Sequence, residues 1–116
     1  MKPIVPTEIQ EFLDRHTNQD VYIHLETTTG AYNAHQNENS MTVVAFIRNA
    51  KLKYSLAKIT GFGPYRVGLK MEEGWTYAEG LTDFTEDEQG RLLIAGHHPD
   101  GKLAIALQIS TKPFPS

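Results

Sequence analysis

The chain has 116 residues, with 11 lysines and arginines against 14 aspartates and glutamates and a net charge of -3 at pH 7. This length predicts one domain over residues 1–116, large enough to bury a core without disulfides or metal. Cysteine is absent, which excludes a disulfide scaffold, a thiolate nucleophile and cysteine-ligated metal sites. Nucleic-acid binding is disfavoured, because the basic cluster Lys51, Lys53 and Lys58 is too small to neutralise a phosphate backbone.

The amino-terminal residues, Met1 to Pro6, lack the charged start and the apolar run of a secretion signal. No run of about 18 apolar residues occurs that could span a membrane. We therefore expect a cytoplasmic protein with no membrane partner.

A short helix is predicted from Glu8 to His16. Apolar residues recur there at helical intervals, namely Ile9, Phe12 and Leu13. Thr7 and Gln10 have the spacing of a capping box, in which two side chains bond the first free N–H groups of a helix.

A half-buried strand is predicted from Val21 to Glu26, because apolar and polar side chains alternate there. His24 and Glu26 share its polar face, a spacing that suits a base and its orienting carboxylate as well as an ordinary solvated face. A short strand from Ala31 to Ala34 and a mobile polar loop from His35 to Ser40 are predicted to follow.

Met41 to Arg48 is nearly continuous apolar sequence rich in β-branched and aromatic residues, which favours a central buried strand. Asn49-Ala50 then predicts a two-residue turn. The alternating residues from Lys51 to Leu56 would form the second strand of this hairpin.

Four more strands are predicted downstream, with turn signals at Glu73-Gly74 and Asp100-Gly101. They are Tyr65–Met71, Trp75–Leu81, Arg91–Gly96 and Lys102–Ser110. The acidic run from Asp83 to Glu88 predicts a solvated turn, and the tail from Thr111 to Ser116 predicts non-regular structure.

One helix followed by about seven closely spaced strands favours a mainly β fold. Parallel βαβ units are disfavoured, because each crossover needs a dozen or more residues. We expect an antiparallel sandwich or barrel, with the helix covering one open end or side.

His97-His98-Pro99-Asp100 is the densest group of potential metal ligands. Adjacent strand residues point to opposite faces, so His97 and His98 do not converge on one ion without a bend. A metal site would need three ligands from the set His24, His35, His97, His98 and Asp100. No known ligand spacing is present, and we expect neither a metal nor a cofactor.

Gly61-Phe62-Gly63-Pro64-Tyr65 suits a tight structural turn, or a loop that grips a ligand between glycines and aromatic rings. It lacks the third glycine and the following helix of a dinucleotide-binding loop. Tyr65, Trp75 and Tyr77 form a candidate aromatic cluster. The default interpretation is a core cluster, and the alternative is the lining of a concave mouth.

Four segments carry a family resemblance: Thr7–Gln10, Val21–Glu26, Gly61–Lys70 and Gly74–Thr82. With them the chain resembles the YojF family of small uncharacterised Bacillus proteins over nearly its whole length. The resemblance implies a mainly β distorted sandwich and assigns no catalytic residues. It also implies a partner or shared pathway, because genes of this type tend to lie beside one for a zinc-dependent deacetylase of the kind used in bacillithiol synthesis.

The first functional hypothesis is that the chain is a non-enzymatic accessory or binding protein that works with that deacetylase. One version of this hypothesis makes the protein a homodimer. No convergent catalytic set appears, and the apolar strands Met41 to Arg48 and Leu103 to Ile109 have enough apolar residues for an interface besides the core. An exposed apolar patch would support it.

The second hypothesis is a small-molecule-binding protein or enzyme with a pocket at one end of the sandwich. The candidate lining residues are Tyr65, Trp75 and Tyr77, with His24, His35 or His97 as polar groups. It predicts that two of these histidines lie within hydrogen-bond reach of each other.

Overall fold

The computed structural model describes residues 1–28 and 44–115, and within these ranges it contains one helix and nine strands. In chain order they are β1 (Lys2–Pro3), α1 (Pro6–Arg15), β2 (Asp20–Thr28), β3 (Val44–Lys53), β4 (Leu56–Gly61), β5 (Tyr65–Lys70), β6 (Trp75–Leu81), β7 (Asp83–Glu86), β8 (Leu92–His97) and β9 (Leu103–Ser110). The predicted strand Ala31–Ala34 and loop His35–Ser40 lie outside the described residues.

The strands form two antiparallel sheets that do not close into a barrel. The large sheet has the order β1-β7-β8-β9-β2-β3, and the small sheet has the order β4-β5-β6. This arrangement confirms the predicted antiparallel sandwich, with more strands than the seven expected. No helix among the described residues is long and apolar enough to cross a membrane.

The core lies between the two sheets and under the helix. It takes the inward-facing side chains of both sheets, among them Val67 and Leu69 of β5 and Ile94 of β8. The helix contributes Ile9, Phe12 and Leu13. The helical periodicity of the sequence is therefore confirmed, with a start at Pro6 instead of Glu8.

A pair of glycines allows the two sheets to approach closely. A Cβ atom on Gly96 of β8 would overlap the backbone carbonyl of Gly80 in β6. Gly80 has a φ of +87° and is skipped in the pairing of β5 with β6, so the bulge turns Leu81 into the core. Only glycine at position 96 permits this contact.

The start of the helix does not contain the predicted capping box. Val5 occupies the N-cap position without a side-chain hydrogen bond, and Pro6 begins the helix. The Gln10 side chain instead reaches β4, an edge strand of the small sheet: Nε2 donates to the Ala57 carbonyl at 2.9 Å and Oε1 accepts from the Ile59 N–H at 3.1 Å. One amide thus occupies the free edge as a neighbouring strand would.

The predicted turn at Asn49-Ala50 is wrong, because β3 continues through it. Ala50 pairs with Ile23 and Arg48 with His24, so Asn49 is the extra residue of a β-bulge with a φ of 58°. Its side-chain amide holds the C-terminal tail, donating to the Phe114 carbonyl at 2.9 Å and accepting from the Phe114 N–H at 2.6 Å.

β3 is also not the central buried strand predicted for Met41 to Arg48. Among the described strands it lies at an edge of the large sheet, and its Val44, Phe46 and Ile47 side chains are exposed. Residues 41–43 lie outside the described ranges.

The acidic run is not simply a solvated turn. Its first half, Asp83–Glu86, forms β7 between β1 and β8, because Phe84 is buried in the core. A turn follows at Asp87–Gly90, where the Gly90 N–H donates to the Asp87 carbonyl at 3.0 Å.

Candidate functional site

The two described candidate histidines lie apart on the large sheet. His24 of β2 pairs with Gln108 of β9, whereas His97 of β8 pairs with Leu103. They are separated by one strand and by about 17 Å along it, from about 3.3 Å per residue. His35 is outside the described residues.

His24 and Glu26 form the contact that their spacing predicts. Their Nε2 and Oε1 atoms are 3.0 Å apart, and the His24 side chain is 12% exposed. With Nε2–H donated to the carboxylate, Nδ1 is a buried acceptor without a hydrogen-bond partner among the described residues. This nitrogen is shut off from solvent, whereas the Glu26 side chain is 27% exposed and is the more accessible member of the pair.

His97 belongs to a polar cluster that the sequence did not indicate. Its Nδ1 lies 3.2 Å from Asp83 Oδ2, and the Thr82 hydroxyl donates to the same oxygen at 2.7 Å. The Thr82 hydrogen bond lowers the pKa of the Asp83 carboxyl, and the His97 contact adds to this effect. The Thr82 hydroxyl donates its hydrogen bond to the Asp83 carboxylate and not to the His97 imidazole. The cluster is therefore not arranged as a nucleophile hydrogen-bonded to its base.

The aromatic candidates are divided between the two faces of the small sheet. Tyr65 is partly buried against the core. Trp75 and Tyr77 are 43% and 44% exposed on the opposite, outer face, so the core interpretation is wrong for these two residues. The five predicted pocket residues that lie in the described ranges are therefore not gathered at one place.

Trp75 and Tyr77 form part of an ordered stack with Arg66, which we call the aromatic ladder. The two rings are nearly parallel, with centroids 5.3 Å apart and planes 5° apart. The Arg66 guanidinium carbon lies 3.9 Å from the Tyr77 ring centroid. Since Trp75 pairs with Lys70 and Glu79 with Arg66, the Tyr77 ring lies between the other two groups.

Two neighbours fix the geometry of the ladder. Gly68 lies opposite Tyr77 on β5, and a Cβ atom there would come within 2.7 Å of Tyr77 Cε1. Because Gly68 has no side chain, the Tyr77 ring can pack directly on the backbone of β5. Glu79 binds Arg66 Nε at 3.3 Å, which holds the guanidinium over the ring. The ladder therefore combines a sheet surface, stacked rings and a tethered cation.

The outer face of the small sheet also carries two lysines and a shallow groove. Lys58 pairs with Gly68, and Lys70 pairs with Trp75, so both lie beside the ladder. The groove has a volume of about 140 Å³. Its lining residues are Lys58, Thr60, Arg66, Gly68, Trp75 and Tyr77. We call these residues together with Lys70 and Glu79 the ladder face.

A larger open cleft lies elsewhere, between the end of β3 and the β5–β6 turn, with a volume of about 620 Å³. Its lining residues are Asn18, Leu52, Lys53, Ser55, Met71, Glu72 and Glu73. None of them is aromatic or a histidine. The cleft therefore offers neither an aromatic stacking surface nor an imidazole.

Comparisons with known proteins place the chain in a family. A family model described as "Protein of unknown function (DUF1806)" matches residues 3–114. The chain belongs to the DUF1806 family. This family member is similar to "Uncharacterized protein YojF" of Bacillus subtilis (strain 168), with 67% identity over 114 residues covering 98% of each chain.

The fold of this DUF1806 chain has a solved counterpart. The crystal structure of Bacillus subtilis YojF matches it with a TM-score of 0.84 and 58% identity, covering 99% of this chain and 97% of the other. The family resemblance read from the sequence is thereby confirmed. Neither description names an activity, so the chemistry of the site is argued from geometry alone.

Trp75 and Tyr77 were expected from the sequence as site residues, whereas Arg66, Gly68 and Lys58 were not. A usable signal was present in β5, where Arg66, Gly68 and Lys70 alternate with buried residues. That alternation marks a solvent-facing row, and the hairpin turn at Glu73-Gly74 brings it beside Trp75 and Tyr77.

Proposed function

We propose that the chain is a non-enzymatic binding protein that contacts a partner protein through the ladder face. The observation that carries this proposal is the stack of Trp75, Tyr77 and Arg66, exposed on the surface of a regular sheet. Tryptophan, tyrosine and arginine are the residue types that most often dominate the binding energy of protein interfaces.

Preorganisation of the ladder adds support. Side chains that become fixed on binding each cost about 0.5–1.5 kcal/mol. The ladder rings already pack against Gly68 and against each other, and Arg66 is tethered to Glu79. A partner that binds the ladder therefore has to restrict few additional side-chain torsions, so the entropy cost of binding is small.

The dimensions of the ladder face favour a macromolecule over a small ligand. Small-molecule sites usually enclose about 300–1,000 Å³. The groove at the ladder offers about 140 Å³ and is open to solvent along the sheet. A flat protein surface can cover such a face, whereas a small ligand would bury too little of its own surface there.

An enzymatic role has weaker support. Catalysis requires a base, a nucleophile or an electrophile that converge on one substrate position. His24 is enclosed with Glu26, the Thr82 hydroxyl is donated to Asp83, and neither group lies on the ladder face.

The candidate partner is the zinc-dependent deacetylase that the family resemblance suggests. The direct test is isothermal titration calorimetry of the purified chain with the purified deacetylase. Trp75→Ala should raise Kd at least about 30-fold, the effect of losing a central anchor worth about 2 kcal/mol. Arg66→Lys keeps the charge but loses the planar stack, and it should also weaken binding.

Val5→Ala is the matched control, because Val5 is an exposed apolar residue outside both the ladder face and β3. It should leave Kd within about twofold of the wild-type value, the range of near-neutral substitutions. No binding by the wild-type chain, or equal affinity of the wild-type and Trp75→Ala chains, would contradict the proposal.

We further propose that β3 is where two copies of the chain associate. Its exposed apolar side chains lie on both faces of the strand, with Val44 and Phe46 on one face and Ile47 on the other. Within the described residues β3 is an edge strand, and such edges tend to pair with a second chain. Light scattering coupled to size-exclusion chromatography should give twice the monomer mass, and Ile47→Glu should give the monomer mass. A monomeric wild-type chain would refute this part of the proposal.

A further inference from the structure

A further exposed aromatic residue, Phe62, lies next to the ladder. Phe62 is fully exposed at the tip of the hairpin that joins β4 and β5. The pairs Thr60–Arg66 and Gly61–Tyr65 end the two strands, so Phe62 is the first residue beyond the end of the sheet that carries Arg66.

The loop presents Phe62 on a defined backbone. Gly61 and Gly63 on either side have φ values of 105° and 108°, which side-chain-bearing residues rarely adopt. Hydrogen-bonded strand pairs lie directly behind them. The ring is thus held away from the protein, as in anchor side chains that enter a pocket on a partner.

The ladder face is positively charged, although the chain as a whole is negatively charged. Its cations are Lys58, Arg66 and Lys70 and its anion is Glu79, which gives a local net charge of +2 (3 − 1) in a chain of net charge -3. Glu79 is already paired with Arg66. Within the described ranges Lys58 and Lys70 make no ion pair, so they are available to an external anion.

A lipid surface fits these features less well than a protein does. Each free cation near an anionic membrane contributes about 1 kcal/mol, so two lysines give about 2 kcal/mol. The net charge of -3 on the whole chain opposes even that attraction. A stacked Trp–Tyr–Arg ladder is suited to a shaped protein surface.

We infer that the partner presents an acidic surface to Lys58 and Lys70 and, beside it, an apolar pocket that receives the Phe62 ring. This inference rests on the proposed function and specifies the chemistry of the partner. The ladder covers the apolar centre of the contact, the lysines form its charged rim, and Phe62 is a second anchor outside the sheet.

The test is the same calorimetric titration with the deacetylase, carried out at about 0.05 M and about 0.3 M salt, since salt screens charges at the rim of an interface. Phe62→Ser should raise Kd at least about tenfold. The double variant Lys58→Glu with Lys70→Glu should raise Kd by at least a similar factor at low salt and remove most of the salt dependence. Lys112→Glu, a charge reversal in the exposed tail, is the matched control and should leave Kd unchanged.

Each outcome decides between the two proposals. If Trp75→Ala weakens binding but the Phe62 and lysine variants do not, the proposed function stands and this inference is overturned. If the wild-type chain does not bind the deacetylase, both are overturned. Flotation of the wild-type chain, but not of Phe62→Ser, with phosphatidylserine vesicles would assign the anchor to a membrane and also overturn the inference.

Discussion

Replacement of Gln10 by alanine tests how the edge of the small sheet is protected. The substitution removes the hydrogen bonds of Gln10 to the Ala57 carbonyl and the Ile59 N–H. Each such bond contributes about 0.5–1.5 kcal/mol net, so the pair contributes about 1–3 kcal/mol. Alanine recovers about 0.4 kcal/mol through its higher helix propensity. We expect a net loss of about 0.6–2.6 kcal/mol, with a central value near 1.6 kcal/mol.

The assay is urea unfolding followed by circular dichroism. A loss of this size should lower the denaturation midpoint without changing the slope of the transition. In thermal unfolding it should lower Tm by about 4–8 °C for a domain of this size. Gln10→Glu keeps the acceptor for the Ile59 N–H but faces the Ala57 carbonyl with a negative charge, so it should destabilise the fold at least as much.

Glu11→Ala is the matched control, because Glu11 is an exposed neighbour on the same helix. It should change the free energy of unfolding by less than about 0.5 kcal/mol. Equal midpoints for Gln10→Ala and Glu11→Ala would refute the view that the Gln10 amide acts as a substitute strand for β4.

Three further predictions concern other contacts. Gly96→Ala should destabilise the fold by at least about 2 kcal/mol in urea unfolding, because the new methyl group overlaps a backbone carbonyl of the facing sheet; Gly101→Ala in the open hairpin turn should cost only about 1 kcal/mol, and equal losses would contradict this. Asn49→Ala should lower stability by about 2 kcal/mol and speed carboxypeptidase removal of the tail, because both hydrogen bonds to Phe114 are lost; unchanged digestion would refute it. Burial, followed by the nearby carboxylate of Asp14, raises the pKa of Tyr54 above its usual 10.0. The free energy of unfolding of the wild-type chain therefore keeps the full contribution of Tyr54 below about pH 10 and decreases as the pH rises further. Tyr54→Phe should lose about 1 kcal/mol at pH 7 and show a weaker alkaline decline, and parallel stability curves above pH 10 would contradict this.

Much of the strand pattern could be predicted because alternation and turn residues agree. The prediction for Trp75–Leu81 coincides with β6, and Asp100-Gly101 makes the expected hairpin turn with a φ of 86° at Gly101. These signals are local, since they depend only on side-chain period and on residues that tolerate positive φ.

The errors arose where one local signal fits two structures. Asn49 tolerates a positive φ in a turn and equally in a bulge, and only the pairing of its strand with β2 decides between them. Phe84 was overlooked within an acidic run, although its burial makes that run a strand.

The candidate site shows the same limit. Large aromatic residues are usually buried, so the composition of β6 favoured a core location for Trp75 and Tyr77. Their exposure follows from the outward-facing row of Arg66 and Gly68 on β5, and this signal can be used only when β5 and β6 are considered as a pair. Contacts such as His97 with Asp83 join different strands and leave no pattern in sequence spacing.

Hydrogen–deuterium exchange of the chain with and without the deacetylase tests the central claim most directly, because it maps the contact without any substitution. If the ladder face is the binding surface, exchange should slow at strand β6 and in the residue 61–65 hairpin on complex formation, with no change in β8 and β9. Protection confined to the large sheet, or no protection at all, would show that the ladder face is not the binding surface.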